Sequence, residues 1–243
     1  MRVIIVVAML VCIAGPVRAG DAQSDHGTIV VTKLQGDVSV RHGVTEIWTH
    51  VAVGDILRPD DTMKTGKKSS AVLVARNGQS VSAASKRISL PAEVVVDISD
   101  MRNLSQEELM LKLTMEKVRS SSYQWKNDEL RIPNAAVVHG EDRRPSAPLQ
   151  ENELRFGIFQ WNGTRVLFDN GFYSTCALRA MEVFRLYPPL SQKFDNRLMV
   201  ADALEKANLR GEALSEYGII ASMPGITSEQ QTVVHARMSQ LKK

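Results

Sequence analysis

Residues 51–73 read VAVGDILRPDDTMKTGKKSSAVL, and three turn clusters punctuate them: Gly54-Asp55, Pro59-Asp60-Asp61 and Gly66-Lys67-Lys68. Short apolar or β-branched runs lie between the turns, namely Val51 and Val53, Ile56 and Leu57, Thr62 and Met63, and residues 71–74. Runs this short, bounded by Gly, Pro and Asp, read as successive strands of an antiparallel unit.

Outward from that stretch the same pattern continues. Residues 29–32 read as a first strand. Val38 and Val40 alternate with Ser39 and Arg41, the period of a half-buried strand. Trp48 is expected to fill the core. Residues 71–76 lead into Asn77-Gly78, a hairpin signal because both residues tolerate positive φ. Val81 is expected to open the return strand, and residues 88–90 and 94–98 complete the series around Pro91.

The ordered set Leu34-Gln35-Gly36-Asp37-Val38-Ser39-Val40, Val53-Gly54-Asp55-Ile56-Leu57, residues 60–66 (DDTMKTG), Ser70-Ala71-Val72-Leu73 and Asn77-Gly78-Gln79-Ser80-Val81 resembles the FecR-like domain, a periplasmic module. The resemblance spans about residues 28–98 and extends toward 140, where residues 131–140 (RIPNAAVVHG) resemble the family's closing segment. Arg58-Pro59-Asp60 departs from the glycine usual in the family's turn. The resemblance implies an all-β sandwich or roll. It also implies a role in the cell envelope: the family's best-known members relay a signal from an outer-membrane receptor to transcription.

Residues 104–119 carry the periodicity of one accessory helix. Ser105 and Glu108 form a capping-box pattern, and Leu109 with Leu113 and Leu111 with Met115 and Val118 make two apolar rows. Two rows predict packing on the sheet and on a neighbour. Residues 141–153, with Arg143-Arg144-Pro145 and Pro148, have linker composition. From residue 154 onward apolar residues recur at three and four. Helices are expected over 172–186, 194–207 and 212–221, and a fourth begins at Thr227, capped with Gln230 and facing inward through Val234, Met238 and Leu241. Residues 154–168 lean to helix, although Asn162-Gly163 also reads as a hairpin turn. Two sets of residues here resemble tetratricopeptide repeats. The first is Gly171, Tyr173, Cys176-Ala177, Ala180 and Tyr187-Pro188-Pro189; the second is Ala201, Ala203-Leu204, Gly211-Glu212-Ala213-Leu214, Tyr217 and Pro224. Their spacing, 36 residues from Ala177 to Ala213, marks a degenerate repeat.

The resulting expectation is a two-domain chain: an all-β FecR-like sandwich or roll with one accessory helix, followed by an all-α tetratricopeptide-like domain. Its segments are a signal peptide at 1–19, a lead at 20–26, the β domain at 27–140, a linker at 141–153 and the helical domain at 154–243. Arg2, the apolar run 3–14 and Val17-Arg18-Ala19 before Gly20 carry the export reading, with an uncleaved membrane anchor as its alternative. The residues before Cys12, Leu10 and Val11, are too large for a lipobox. With 30 basic and 27 acidic residues, a formal charge of +3 and 5% aromatics, the chain lacks the footprint of a nucleic-acid binder.

Chemistry is sparse in the sequence. His26, His42, His50, His139 and His235 stand at no metal-ligand spacing. Asp55, Asp60 and Asp61 read as turn residues, not a calcium loop, and Glu107-Glu108 as helix N-terminal charge. Cys176, among Ala177, Leu178 and Ala180, reads as a small core residue. No catalytic, cofactor-binding or metal-binding residue is assigned. The expectation is a non-enzymatic periplasmic or secreted binding or scaffold protein. Its partners would be an envelope protein, polysaccharide or murein, and no nucleic acid; the alternative is a signal-relay regulator.

Overall fold

The computed structural model describes residues 28–76, 85–129 and 151–242. The leader, the Asn77-Gly78 turn, Val81, residues 131–140, most of the 141–153 stretch, His26 and His139 lie outside the described residues.

The strands are β1 Thr28–Gln35, β2 Val38–His42, β3 Thr49–His50, β4 Ile56–Leu57, β5 Asp61–Thr65, β6 Ser70–Arg76, β7 Lys86–Leu90 and β8 Val95–Asp97. The Val51 and Val53 run, expected as a strand, is instead the loop from β3 to β4, because the Gly54 turn at φ +98° follows it at once and leaves Val53 exposed. They form two four-stranded sheets, ordered β4-β1-β6-β7 and β3-β2-β5-β8, in which every pair is antiparallel. The chain therefore changes sheet twice within residues 51–73. It passes from β4 to β5 through the Pro59-Asp60 turn and from β5 to β6 through residues 66–69. Gly36, at φ +73°, makes the β1–β2 turn, where the Asp37 amide donates to Ser69 Oγ (2.9 Å) and the Gly66 amide to the Asp37 carbonyl (2.8 Å). A bulge between Val31 and Lys33 resets the alternation of β1. Leu34 consequently packs toward the core where strict alternation would have sent Lys33.

The helices are α1 Gln106–Glu129, α2 Glu151–Asp169, α3 Tyr173–Leu186, α4 Pro188–Ser191, α5 Phe194–Lys206, α6 Arg210–Ala221 and α7 Ser228–Leu241. Residues 154–168, which read as helix or hairpin, are helical. At the start of α7 the reciprocal capping box is complete: the Gln230 amide donates to Thr227 Oγ1 (3.2 Å) and the Thr227 amide to Gln230 Oε1 (3.0 Å). The α1 box is half made. The Glu108 amide donates to Ser105 Oγ (3.2 Å), while the Glu108 carboxylate is taken by Arg102 (2.8 Å) and Lys112 (2.9 Å).

The two-domain expectation, an all-β FecR-like sandwich or roll with one accessory helix followed by an all-α tetratricopeptide-like domain, is overturned. The molecule is a mixed α/β structure in which a two-sheet β region and a helical region share one core. A single buried cluster runs from Ile29, Val31, Met63 and Val96 through Leu109 and Leu113 to Trp161, Cys176, Leu204 and Tyr217. Helix α1, expected to pack on the sheet and on a neighbour, packs on a neighbour, α3, through Leu109, Leu113 and the buried Glu116, which accepts from Arg185. Its second apolar row stays largely exposed: Leu111 is 64% accessible and Val118 62%. Sequence periodicity registers how many faces are apolar but not which neighbour meets them.

Hydrogen bonds stitch the seam between the two regions. Asn162 donates to the Glu93 carbonyl (2.9 Å), Thr175 Oγ1 to the Arg102 carbonyl (2.9 Å) and the Leu104 amide to Ser174 Oγ (2.7 Å). Lys86 of β7 donates to the Asn170 carbonyl in the α2–α3 turn, and its ammonium lies 3.8 Å from the Phe172 ring centroid. Gly163 permits the closest approach: a Cβ there would lie 1.9 Å from the Val95 carbonyl oxygen. A glycine that reads as a turn signal in the sequence is the point where a helix lies against a strand.

Candidate functional site

Strand register builds one wall of the site. Val40, Met63 and Val96 pair across β2, β5 and β8 and are buried in the core. Their neighbours Arg41, Thr62 and Asp97 pair in the next row and project from the opposite face, because successive side chains alternate. Helix α2 lies over that face. Phe156, Gln160, Gly163 and Leu167, spaced four, three and four along it, form the second wall. Arg179 of α3 and Asp100, in a short 3-10 turn after β8, close the end. The cleft has a volume of about 230 Å³ and is partly open to solvent.

A chain of polar contacts crosses its floor. Arg41 Nη2 donates to Thr62 Oγ1 (3.3 Å), and Thr62 Oγ1 donates to Asp97 Oδ1 (2.6 Å). Arg179 donates to the other Asp97 oxygen, to Asp100 Oδ2 (2.7 Å from Nε) and to Glu182 (2.7 Å). Burial pushes the Asp100 carboxyl up to about 6, with the Arg179 charge pulling against it and Asp97 adding to it. Burial also works to lower Arg179, but Asp100, Asp97 and Glu182 outweigh it, so the guanidinium is held above its ordinary value.

Two groups on the walls have no hydrogen-bond partner. Arg41 Nε and Gln160 Oε1 are both shut off from solvent and unsatisfied. Among the described residues Arg41 has no carboxylate within ion-pair distance; it touches Thr62 and lies 5.3 Å from the Trp48 ring centroid. Trp48, expected in the core, is half-exposed on this outer face, with the Lys64 ammonium 4.3 Å from its ring centroid. An unsatisfied buried donor costs about 1–3 kcal/mol and more when charged, so such atoms in a cleft mark a place where a ligand gains.

The residues weighed in the sequence lie elsewhere. Asp55 Oδ2 accepts from the Ala52 amide (2.8 Å), and the buried Asp61 accepts from the Arg58 amide (2.8 Å) and meets His42 Nδ1 (2.7 Å). These are turn and strand-end contacts. His50 and His235 are exposed. Cys176 is fully buried, and burial, with the Asp169 charge, raises its thiol far above the ordinary range. Among the described residues no group of three or more His, Cys, Asp or Glu is placed to hold a metal ion, and no helix is long and apolar enough to cross a membrane.

Sequence reading did not select Arg41, Gln160, Asp97, Asp100 or Arg179. Arg41 carried one faint signal, a cation at the outward position of an alternating strand; the others carried none, because their proximity arises from the docking of α2 and α3 on β8. No protein-family model, no curated protein and no solved structure matches this chain.

Proposed function

We propose that this chain is a non-enzymatic binding or scaffold protein of the cell envelope, working in the periplasm or outside the cell. Its β region and the cleft beside it recognise a wall component, a surface polymer or a membrane-protein partner. The successive helices α5, α6 and α7 hold a second protein. The observation that carries the reading is the interlayer cleft: a guanidinium that no carboxylate among the described residues pairs with directly and an unsatisfied amide line a space bounded by strand and helix. The export reading of residues 1–19 supports the compartment.

Crosslinking in intact cells followed by capture of the full chain tests this. Because the two regions share a core, the whole chain is used. The expected result is one or more envelope components retained by the native chain and depleted for Arg41→Met. Recovery of the chain only from the cytosol, or retention of nothing above background, overturns the proposal.

A further inference from the structure

We infer that the interlayer cleft takes a small zwitterion, an amino acid or a dipeptide-sized fragment, with its carboxylate on Arg41 and its ammonium toward Asp100 and Asp97. The inference rests on the binding reading above and names the ligand class of that same site.

Two charge imbalances, at the two ends of the row Arg41, Thr62 and Asp97, carry it. On the β2 wall stands Arg41. A guanidinium stays charged at physiological pH and its rigid fork matches a carboxylate. Among the described residues its one polar partner is the Thr62 hydroxyl, and its Nε is shut off from water with nothing to donate to. At the other end of the row, where Asp97 meets Asp100 and Arg179, the imbalance is reversed. One cation, Arg179, is shared by three carboxylates, those of Asp97, Asp100 and Glu182. An ionised carboxylate has about four acceptor positions on its two oxygens. Asp100 meets Arg179 alone among the described residues, through Oδ2, so its Oδ1 remains open. Burial raises Asp100 by stripping water from its charge, with Asp97 adding to the rise and Arg179 opposing it; an incoming ammonium would favour the ionised form.

The two Arg and two Asp side chains lining the cleft cancel formally. A ligand with net charge leaves one end of the row uncompensated, whereas a zwitterion lying along it meets both. Gln160 on the α2 wall offers an unsatisfied amide oxygen to a peptide N–H, and a side-chain amide can turn to present its NH₂ to a carbonyl. Phe156 and Leu167 give an apolar flank for a short side chain. Size points the same way. Pockets for drug-sized ligands run from about 300 to 1,000 Å³, and this one, at about 230 Å³, suits a fragment smaller than those.

The test is nuclear magnetic resonance titration of the purified full chain, following backbone amides near Thr62 and Asp97, the Gln160 side-chain amide and the Arg41 Nε–H. Four probes are compared: alanyl-alanine, its N-acetylated form, its C-amidated form and methyl glucoside. We expect saturable shifts at these signals with alanyl-alanine. Removing either ligand charge should weaken binding about 10- to 100-fold, the loss of one hydrogen bond to a charged group. In Arg41→Met the free and amidated dipeptides should bind alike, and in Asp100→Asn the free and acetylated forms should. The capped series on the native chain decides the matter even if a variant fails to fold.

Equal binding of capped and uncapped dipeptides, shifts with methyl glucoside alone, or no movement of cleft signals at millimolar ligand each overturn the assignment. A chain that retains an envelope partner but shows no cleft shifts refutes the ligand class alone. A chain that binds the dipeptide and captures nothing in cells refutes the scaffold reading alone.

Discussion

Replacing Gly163 with alanine tests the join between the two regions. In an exposed helix, Gly to Ala stabilises by about 1 kcal/mol, through lost unfolded-state entropy and better helix propensity. At Gly163 the new Cβ would stand 1.9 Å from the Val95 carbonyl oxygen. A tolerable carbon–oxygen contact is about 3.3 Å or more, so α2 must withdraw from β8 by roughly 1.4 Å. Backbone lies on both sides, and no flexible side-chain end can give way. The withdrawal opens the contacts of Val166 and Leu167, both under 5% exposed, and stretches the Asn162–Glu93 hydrogen bond. Overpacking of this kind typically costs about 1–3 kcal/mol and sometimes more. With the cost at the upper end and the propensity gain set against it, Gly163→Ala should lose about 2 kcal/mol, or about 4–8 °C of Tm. Gly218, in the last turn of α6, has nothing within 4 Å of its would-be Cβ. Gly218→Ala should therefore gain up to about 1 kcal/mol. Urea unfolding of the three proteins reads both signs together. Equal stability of the two variants, or a Gly163→Ala more stable than the native chain, would refute the close docking of α2 on β8.

Two further outcomes follow from buried ionisable groups. The folded Asp100 carboxyl lies up at about 6, above an unfolded value near 3.9, so the folded chain holds the extra proton between those values. Its contribution to stability is full below about pH 4 and is lost as pH rises through about 6, by at most about 3 kcal/mol. Measured across that range, native stability should fall relative to Asp100→Asn; parallel profiles would remove Asp100 as the cause. Cys176, buried and with its thiol pushed up, should resist maleimide in the folded chain and label fully in denaturant. Peptide mapping that finds Cys176 labelled in native buffer would contradict its place in the core.

The strands of residues 51–73 were readable because their signals are local. Gly54, at φ +98°, and the Asp55 side chain that accepts from the Ala52 amide are properties of a few consecutive residues. The same holds for the Thr227–Gln230 cap, whose two hydrogen bonds close within four residues. Helix positions after residue 172 followed from periodicity for the same reason. Trp48 was misread because hydrophobicity alone predicts burial, whereas its ring lies against Lys64 and Arg41 on an outer face. Gly163 was ambiguous because a glycine reports a constraint without saying whether it is a turn or a close neighbour.

What the residues determined unaided is the kind and approximate place of each element, since turns, caps and amphipathic faces are set by neighbours in the chain. What only tertiary packing decided is that the sheets and helices share one core, and that Arg41 and Gln160, far apart in sequence, stand across one cleft. The direction of an apolar stripe fixes that a face will be buried. The partner it finds depends on shape and close approach between distant segments, and no local pattern encodes that.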